Sequence, residues 1–191
     1  VDAGLLQARE RGEPLPSRVP GLLRDAKWEL MAAKMPKWAG NPTEIVLGDD
    51  RGQFYFADDW HGEEDWGRWA RTPRAVIVFR PDHPSRWRGL HVNARYHGDA
   101  EATEVYVNGQ LVAKQDLVAN PVVEFPGSLA DLMGDEGLVK LAFVSSRMVS
   151  PRESDGVDDD RPLKVGLHSL QGLAPRQLED HRHRPSDGDE S

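Results

Sequence analysis

The 191-residue chain has no cysteine. That excludes disulfides, thiol catalysis and Cys-type zinc sites. It leaves the redox compartment open, because a cysteine-free domain folds in either kind. No run of about 18 apolar residues occurs, so no helical membrane span is expected. The chain does not open on a basic segment followed by an apolar one, so no signal peptide is expected either. Basic residues are in deficit, with 24 Lys+Arg against 32 Asp+Glu and a formal charge of −8. Phosphate contacts need clustered Lys and Arg, so nucleic acid is not an expected partner. Catalytic signatures are missing as well: there is no G-x-S-x-G elbow, no P-loop and no H-E-x-x-H. No catalytic residue, cofactor or metal site is therefore assigned. Phe (5) and Tyr (3) are few, yet there are 6 Trp.

The chain divides by composition. Residues 1–43 carry Pro14, Pro16, Pro20, Pro36 and Pro42 and read as a helical connector from a longer protein. Leu22, Leu23, Ala26, Leu30 and Ala33 recur at three- and four-residue steps, which predicts a helix from about 20 to 35, ended by Pro36. Residues 174–191 are polar and read as a disordered tail. In it, His181 and His183 suggest adventitious metal binding at most. Residues 44–173 hold nine short β-type runs, at 44–47, 53–57, 74–80, 89–97, 104–107, 110–113, 121–125, 138–144 and 164–170. In the fourth run Leu90, Val92, Ala94 and Tyr96 face one way, while His91, Asn93, Arg95 and His97 face the other. Asn108-Gly109 between apolar runs marks a hairpin with a type I′ turn. Residues 128–133 suggest one helical turn. Eight or nine strands with almost no room for crossover helices predict an all-β fold, an antiparallel β-sandwich.

The segment from Phe54 to Trp69 places three tryptophans among five carboxylates. Indole faces stack on sugar C–H faces and carboxylates accept hydroxyl hydrogen bonds, so it suits a carbohydrate platform. In the alternative reading, Trp66 and Trp69 close one end of the sandwich and Arg68 pairs with a carboxylate. Trp60, His61 and Trp87 are the better contact candidates. Asp58, Asp59, Glu63, Glu64 and Asp65 offer many carboxylate pairs, but a glycosidase needs two facing each other across a cleft. Asp155, Asp158, Asp159 and Asp160 lead into Arg161. They could supply oxygens to Ca²⁺, or one could pair with Arg161 while the rest are solvated. His91, Asn93 and Arg95 form a polar row suited to sugar hydroxyls if their sheet is the concave one. Tyr106 adds a further stacking group.

Three stretches together resemble a β-sandwich domain attached to bacterial glycosyltransferases and cell-surface polysaccharide proteins. Glu64-Asp65-Trp66-Gly67-Arg68-Trp69 is similar to that family's E-x-W-G-x-W, followed by the strand around Ala75 to Phe79. Val105-Tyr106-Val107-Asn108-Gly109 is similar to its V-x-V-N-G. Ser150-Pro151, then Asp159-Asp160-Arg161-Pro162-Leu163, is similar to its S-P…D-x-R-x-L-G ending, with Lys164 where the family usually has Gly. The likeness covers about 44–173. It implies a jelly-roll-like, non-catalytic accessory module, with a glycan or polysaccharide and a glycosyltransferase catalytic domain as partners. It also implies a cytoplasmic location, up to the inner face of the membrane. The expected carbohydrate contacts are Trp60, His61, Trp87, His91, Asn93, Arg95 and Tyr106. A purely structural docking or oligomerising module and a small glycan hydrolase are the alternatives.

Overall fold

The computed structural model describes residues 34–44, 53–57 and 59–182. Except for Lys34 they belong to one compact unit, Met35–Ser191. Nearly all of the expected N-terminal helix, with Trp28 in it, lies outside the described residues, as do Asp58 and His183. Eleven strands are described: β1 Lys37–Trp38, β2 Thr43–Glu44, β3 Phe54–Phe56, β4 Arg68–Trp69, β5 Arg74–Pro81, β6 Gly89–Tyr96, β7 Thr103–Val107, β8 Gln110–Gln115, β9 Val122–Glu124, β10 Val139–Val144 and β11 Val165–Leu173. Two short α-helices follow late in the chain, α1 Pro151–Asp155 and α2 Pro175–Arg182. No helix among the described residues is long and apolar enough to cross a membrane.

The strands form two sheets. The first has the order β1-β5-β10-β7-β8, with β3 also on β5; the second has β2-β11-β6-β9, with β4 also on β11. All the described pairings are antiparallel except β1 with β5. Period-two alternation explains which side of each sheet is apolar. Ile77 and Phe79 of β5, Leu141 and Phe143 of β10, and Val105 and Val107 of β7 belong to one hydrophobic cluster. Leu90 and Val92 of β6 and Leu167 and Leu170 of β11 belong to the same cluster. The step from Leu167 to Leu170 breaks the alternation. A bulge between Leu167 and Ser169 absorbs the extra residue and returns β11 to register against β6.

The hairpin joins β7 to β8 as expected, with Asn108 and Gly109 at φ 50° and 88°. Asn108 also works at longer range. Its amide donates to the carbonyls of Leu132 and Leu138, and its side-chain oxygen accepts from the Lys140 N–H. The helical turn near 130 is a 3-10 segment, Leu129–Leu132, opened by a Ser128–Asp131 capping box.

Both ends of the expected β region differ from the sequence reading. Trp38, assigned to the connector, is only 1% exposed. It meets Phe54, Phe79 and Trp87 edge-on, with centroids 4.8, 5.1 and 5.0 Å away. Two-residue strands such as β1 carry too little alternation to be seen in sequence. At the other end, Pro175–Arg182 is helical rather than disordered. Leu178 is buried, and the Arg182 Nε donates to Glu124 Oε1 at 2.8 Å. A buried leucine, this ion pair and the contact of the His181 ring with His91 hold the polar segment on the sheet.

Because Trp38 links three other aromatic rings, Trp38→Ala should cost about 3–5 kcal/mol of stability. Urea denaturation of the full chain measures this. A loss below about 1 kcal/mol would return Trp38 to a peripheral role.

Candidate functional site

The outward face of the second sheet carries the candidate site. Leu90, Val92 and Ala94 point into the core, so His91, Asn93 and Arg95 must point away from it. His91 is half-buried, and Asn93 and Arg95 are exposed. On the neighbouring strand β11, Gln171 stands opposite His91, Ser169 opposite Asn93 and Gly166 opposite Arg95. The result is a two-strand strip of amide, hydroxyl, imidazole and guanidinium groups.

Gly166 decides what lies at the Arg95 end. A Cβ there would sit 2.3 Å from the Trp66 ring and 2.7 Å from the Trp69 ring. Both indoles therefore lie directly on β11 backbone, and they meet each other at 4.7 Å. Gly67, just after Trp66, approaches the β11 backbone as closely. It has φ 154°, and a Cβ on it would be 2.1 Å from the Leu167 carbonyl oxygen. Trp66 stays half-buried, with the Arg95 guanidinium 4.7 Å from its ring centroid. Its indole N–H donates to Glu64 Oε2 at 2.8 Å.

Glu64 is held in turn by Arg161. The Arg161 guanidinium donates to Glu64 Oε1 at 2.6 Å and to Asp159 Oδ2 at 2.7 Å. Partial burial pushes the Glu64 carboxyl upward, but hydrogen bonds from Arg161 and Trp66 outweigh it and leave the group below its ordinary value. Hydrogen bonds from Arg161 lower Asp159 to about 2. Arg152 pairs with Asp158 and with Asp160, the latter at 3.0 Å. Asp158, Asp159 and Asp160 thus each meet an arginine. Among the described residues, no three His, Asp or Glu side chains gather as metal ligands would.

Comparison with protein-family models, with curated proteins and with solved structures finds no match to this chain. The site is therefore defined by its own geometry. Of the seven expected contact residues, the structure brings together His91, Asn93 and Arg95. Trp60 is only 6% exposed; its N–H donates to the Val76 carbonyl at 2.9 Å, and its ring meets Phe56 and Phe143. Trp87 is 5% exposed and stacks on Phe79, with one edge lining a cavity of about 320 Å³. Trp60 is thus a core residue, contrary to its expected role as a surface contact, whereas Trp87 packs in the core and also reaches the cavity. His61 lies off the row, 3.3 Å from the Pro162 carbonyl oxygen. Tyr106 belongs to the other sheet, where its hydroxyl donates to Glu104 at 2.8 Å.

Trp66, expected to be architectural, is the indole that joins the row. Ser169 and Gln171 were not singled out from the sequence. The only hint of the close approach was a glycine inside a strand pattern. His97 continues the row but is capped by α1, with its Nε2 2.9 Å from Ser154 Oγ. At the far end, the His91 ring stacks on His181 of α2 at 5.2 Å. Burial first, and the neighbouring His181 charge second, lower the His91 pKa. His181, expected in a free tail, is therefore part of the folded face.

Two measurements check this arrangement. In Gly166→Ala, Trp66 and Trp69 cannot keep their seats, so tryptophan emission should shift to the red and stability should fall by about 1–3 kcal/mol. For Asp159, a carboxyl NMR titration should give a midpoint of about 2, and Arg161→Gln should move it up toward 3.9. Since folding lowers this pKa, its stabilising contribution is present above the unfolded value. It is lost as the pH falls through the folded one.

Proposed function

We propose that the chain is a non-catalytic carbohydrate-binding-like module with a jelly-roll sandwich fold, accessory to a bacterial polysaccharide-building glycosyltransferase. Strand order supports the fold. Counting β4 to β11 as one to eight, the second sheet reads 1-8-3-6 and the first 2-7-4-5, which is jelly-roll order. The tie to a glycosyltransferase rests on the likeness of the three motifs, and so does a cytoplasmic location.

The observation that carries the binding function is the strip of Asn93, Ser169 and Gln171, with His91 under His181 at one end and half-buried Trp66 with exposed Arg95 at the other. Sugar hydroxyls both donate and accept, and the strip offers amide and hydroxyl groups that do the same. Trp66 and Arg95 add a flat apolar edge and a cation beside it. Such a shallow surface holds a glycan through several weak contacts rather than one tight pocket. A module that only docks on a catalytic domain is the second reading, favoured by Leu111, 49% exposed on the edge strand β8.

Titration with acidic and neutral bacterial polysaccharides, followed by tryptophan fluorescence, tests the proposal. Asn93→Ala should weaken binding several-fold, at about 1 kcal/mol per lost hydrogen bond, and Arg95→Ala should weaken it further. Tyr106→Ala, on the opposite sheet, should change nothing. Equal binding by all three variants, or no binding by the wild type, would sink the glycan reading.

A further inference from the structure

We propose that the cavity beside Trp87 is a binding site for a single acidic sugar unit of the hexuronate type. The choice of ligand rests on the glycan-binding reading above. At about 320 Å³, the cavity is at the small end of the range for small-molecule sites, about 300–1,000 Å³. It has room for one ring rather than a chain. It forms where three connections meet: the link from β1 to β2, the turn from β5 to β6, and the passage from β11 into α2.

Its wall offers a hydrogen-bond donor. Trp87 is 5% exposed, yet its indole N–H has no hydrogen-bond partner among the described residues. Trp38, Trp60 and Trp66 each have one. This N–H is not among the fully buried unpartnered atoms, so it is open to donate to a ligand oxygen in the cavity. Gly40 and Gly172 lie against the indole, and a Cβ on either would come within 2.7 or 2.9 Å of it. Backbone rather than bulky side chains therefore frames this part of the cavity.

The polar lining fits a sugar carrying one negative charge. Gln171 and Gln177 offer amides that can donate and accept. Asp82 is paired with the Lys37 ammonium at 3.8 Å. The exposed guanidinium of Arg86, by contrast, has no hydrogen bond or ion pair among the described residues. It leaves an uncompensated positive charge at the cavity of an acidic chain, placed to take a carboxylate. His83 is held in the left-handed region at φ 51°, ψ 54°, uncommon for a residue other than glycine. Such local strain recurs at ligand sites. Gln171 belongs both to this cavity and to the outward strip. A glycan lying along the strip would thus present its end unit here.

Adding sodium glucuronate to the ¹⁵N-labelled full chain tests the assignment, with glucose and acetate as comparison ligands. The expected result is saturable shifts of the Trp87 indole N–H and the Gln171 and Gln177 side-chain amides with glucuronate. They should be much weaker with glucose or acetate, and Arg86→Ala should lower glucuronate affinity about tenfold. No shift at these amides overturns the proposal, as does equal binding in Arg86→Ala. Equal shifts with acetate reduce the site to one for simple anions and overturn the sugar assignment. The outward strip has its own readout, the loss of polysaccharide binding in Asn93→Ala and Arg95→Ala. If that loss occurs while the cavity stays silent, the cavity proposal alone fails. If glucuronate fills the cavity but no polysaccharide perturbs Asn93 or Ser169, the outward-face reading alone fails.

Discussion

The structure turns on the contact between indole rings and bare backbone along β11. Two glycines of this central strand leave space that tryptophans fill, on opposite sides of the sheet. Gly166 receives Trp66 and Trp69 on the outward face, and Gly172 receives Trp87. Each contact brings a loop onto the strand. The first fixes the acidic Trp-containing loop beside Arg95. The second fixes the turn after β5 beside the start of α2 and forms a wall of the cavity. A side chain at either glycine would lift a ring by an ångström or more, and the site at that end would go with it. Packing interiors respond to such changes because they hold few voids.

The motif residues act as joints around this strand. Glu64, Trp66 and Gly67 are neighbours in sequence, but their partners lie about a hundred residues away. Glu64 meets Arg161, Trp66 covers Gly166, and Gly67 presses on the Leu167 carbonyl. Asp159 and Arg161 close the same joint from the far side. Asn108 plays a similar part at the other sheet, tying its hairpin to Leu132, Leu138 and Lys140. These residues have specific geometric duties that join segments distant in sequence. The acidic loops are likewise held by arginines, and their negative charge is partly neutralised from within.

Much of the fold was legible because alternation is a local signal. The pattern of β6 alone placed His91, Asn93 and Arg95 on one face, and Asn-Gly placed the β7–β8 hairpin. Short strands were not legible. Lys37–Trp38 and Arg68–Trp69 are too brief to alternate, and their place depends on partners across the sheet. The tryptophans carry no local signal that separates core from surface. Trp60 and Trp66 sit six residues apart in the same acidic context, yet Trp60 points into the core and bonds to Val76, while Trp66 stays half-buried on the outer face.

By itself, the sequence determined the all-β character, the β7–β8 hairpin, the outward polar row and the absence of thiol chemistry, each of which follows from residue type and spacing over a few positions. Only the tertiary structure decided which indoles are core and which lie on the surface, that α2 is folded onto the sheet, and that Gln171 and Ser169 complete the row. It alone produced the cavity beside Trp87. The reason is physical: burial and cavity shape come from surfaces distant in sequence meeting at van der Waals distance, and no local pattern carries that information.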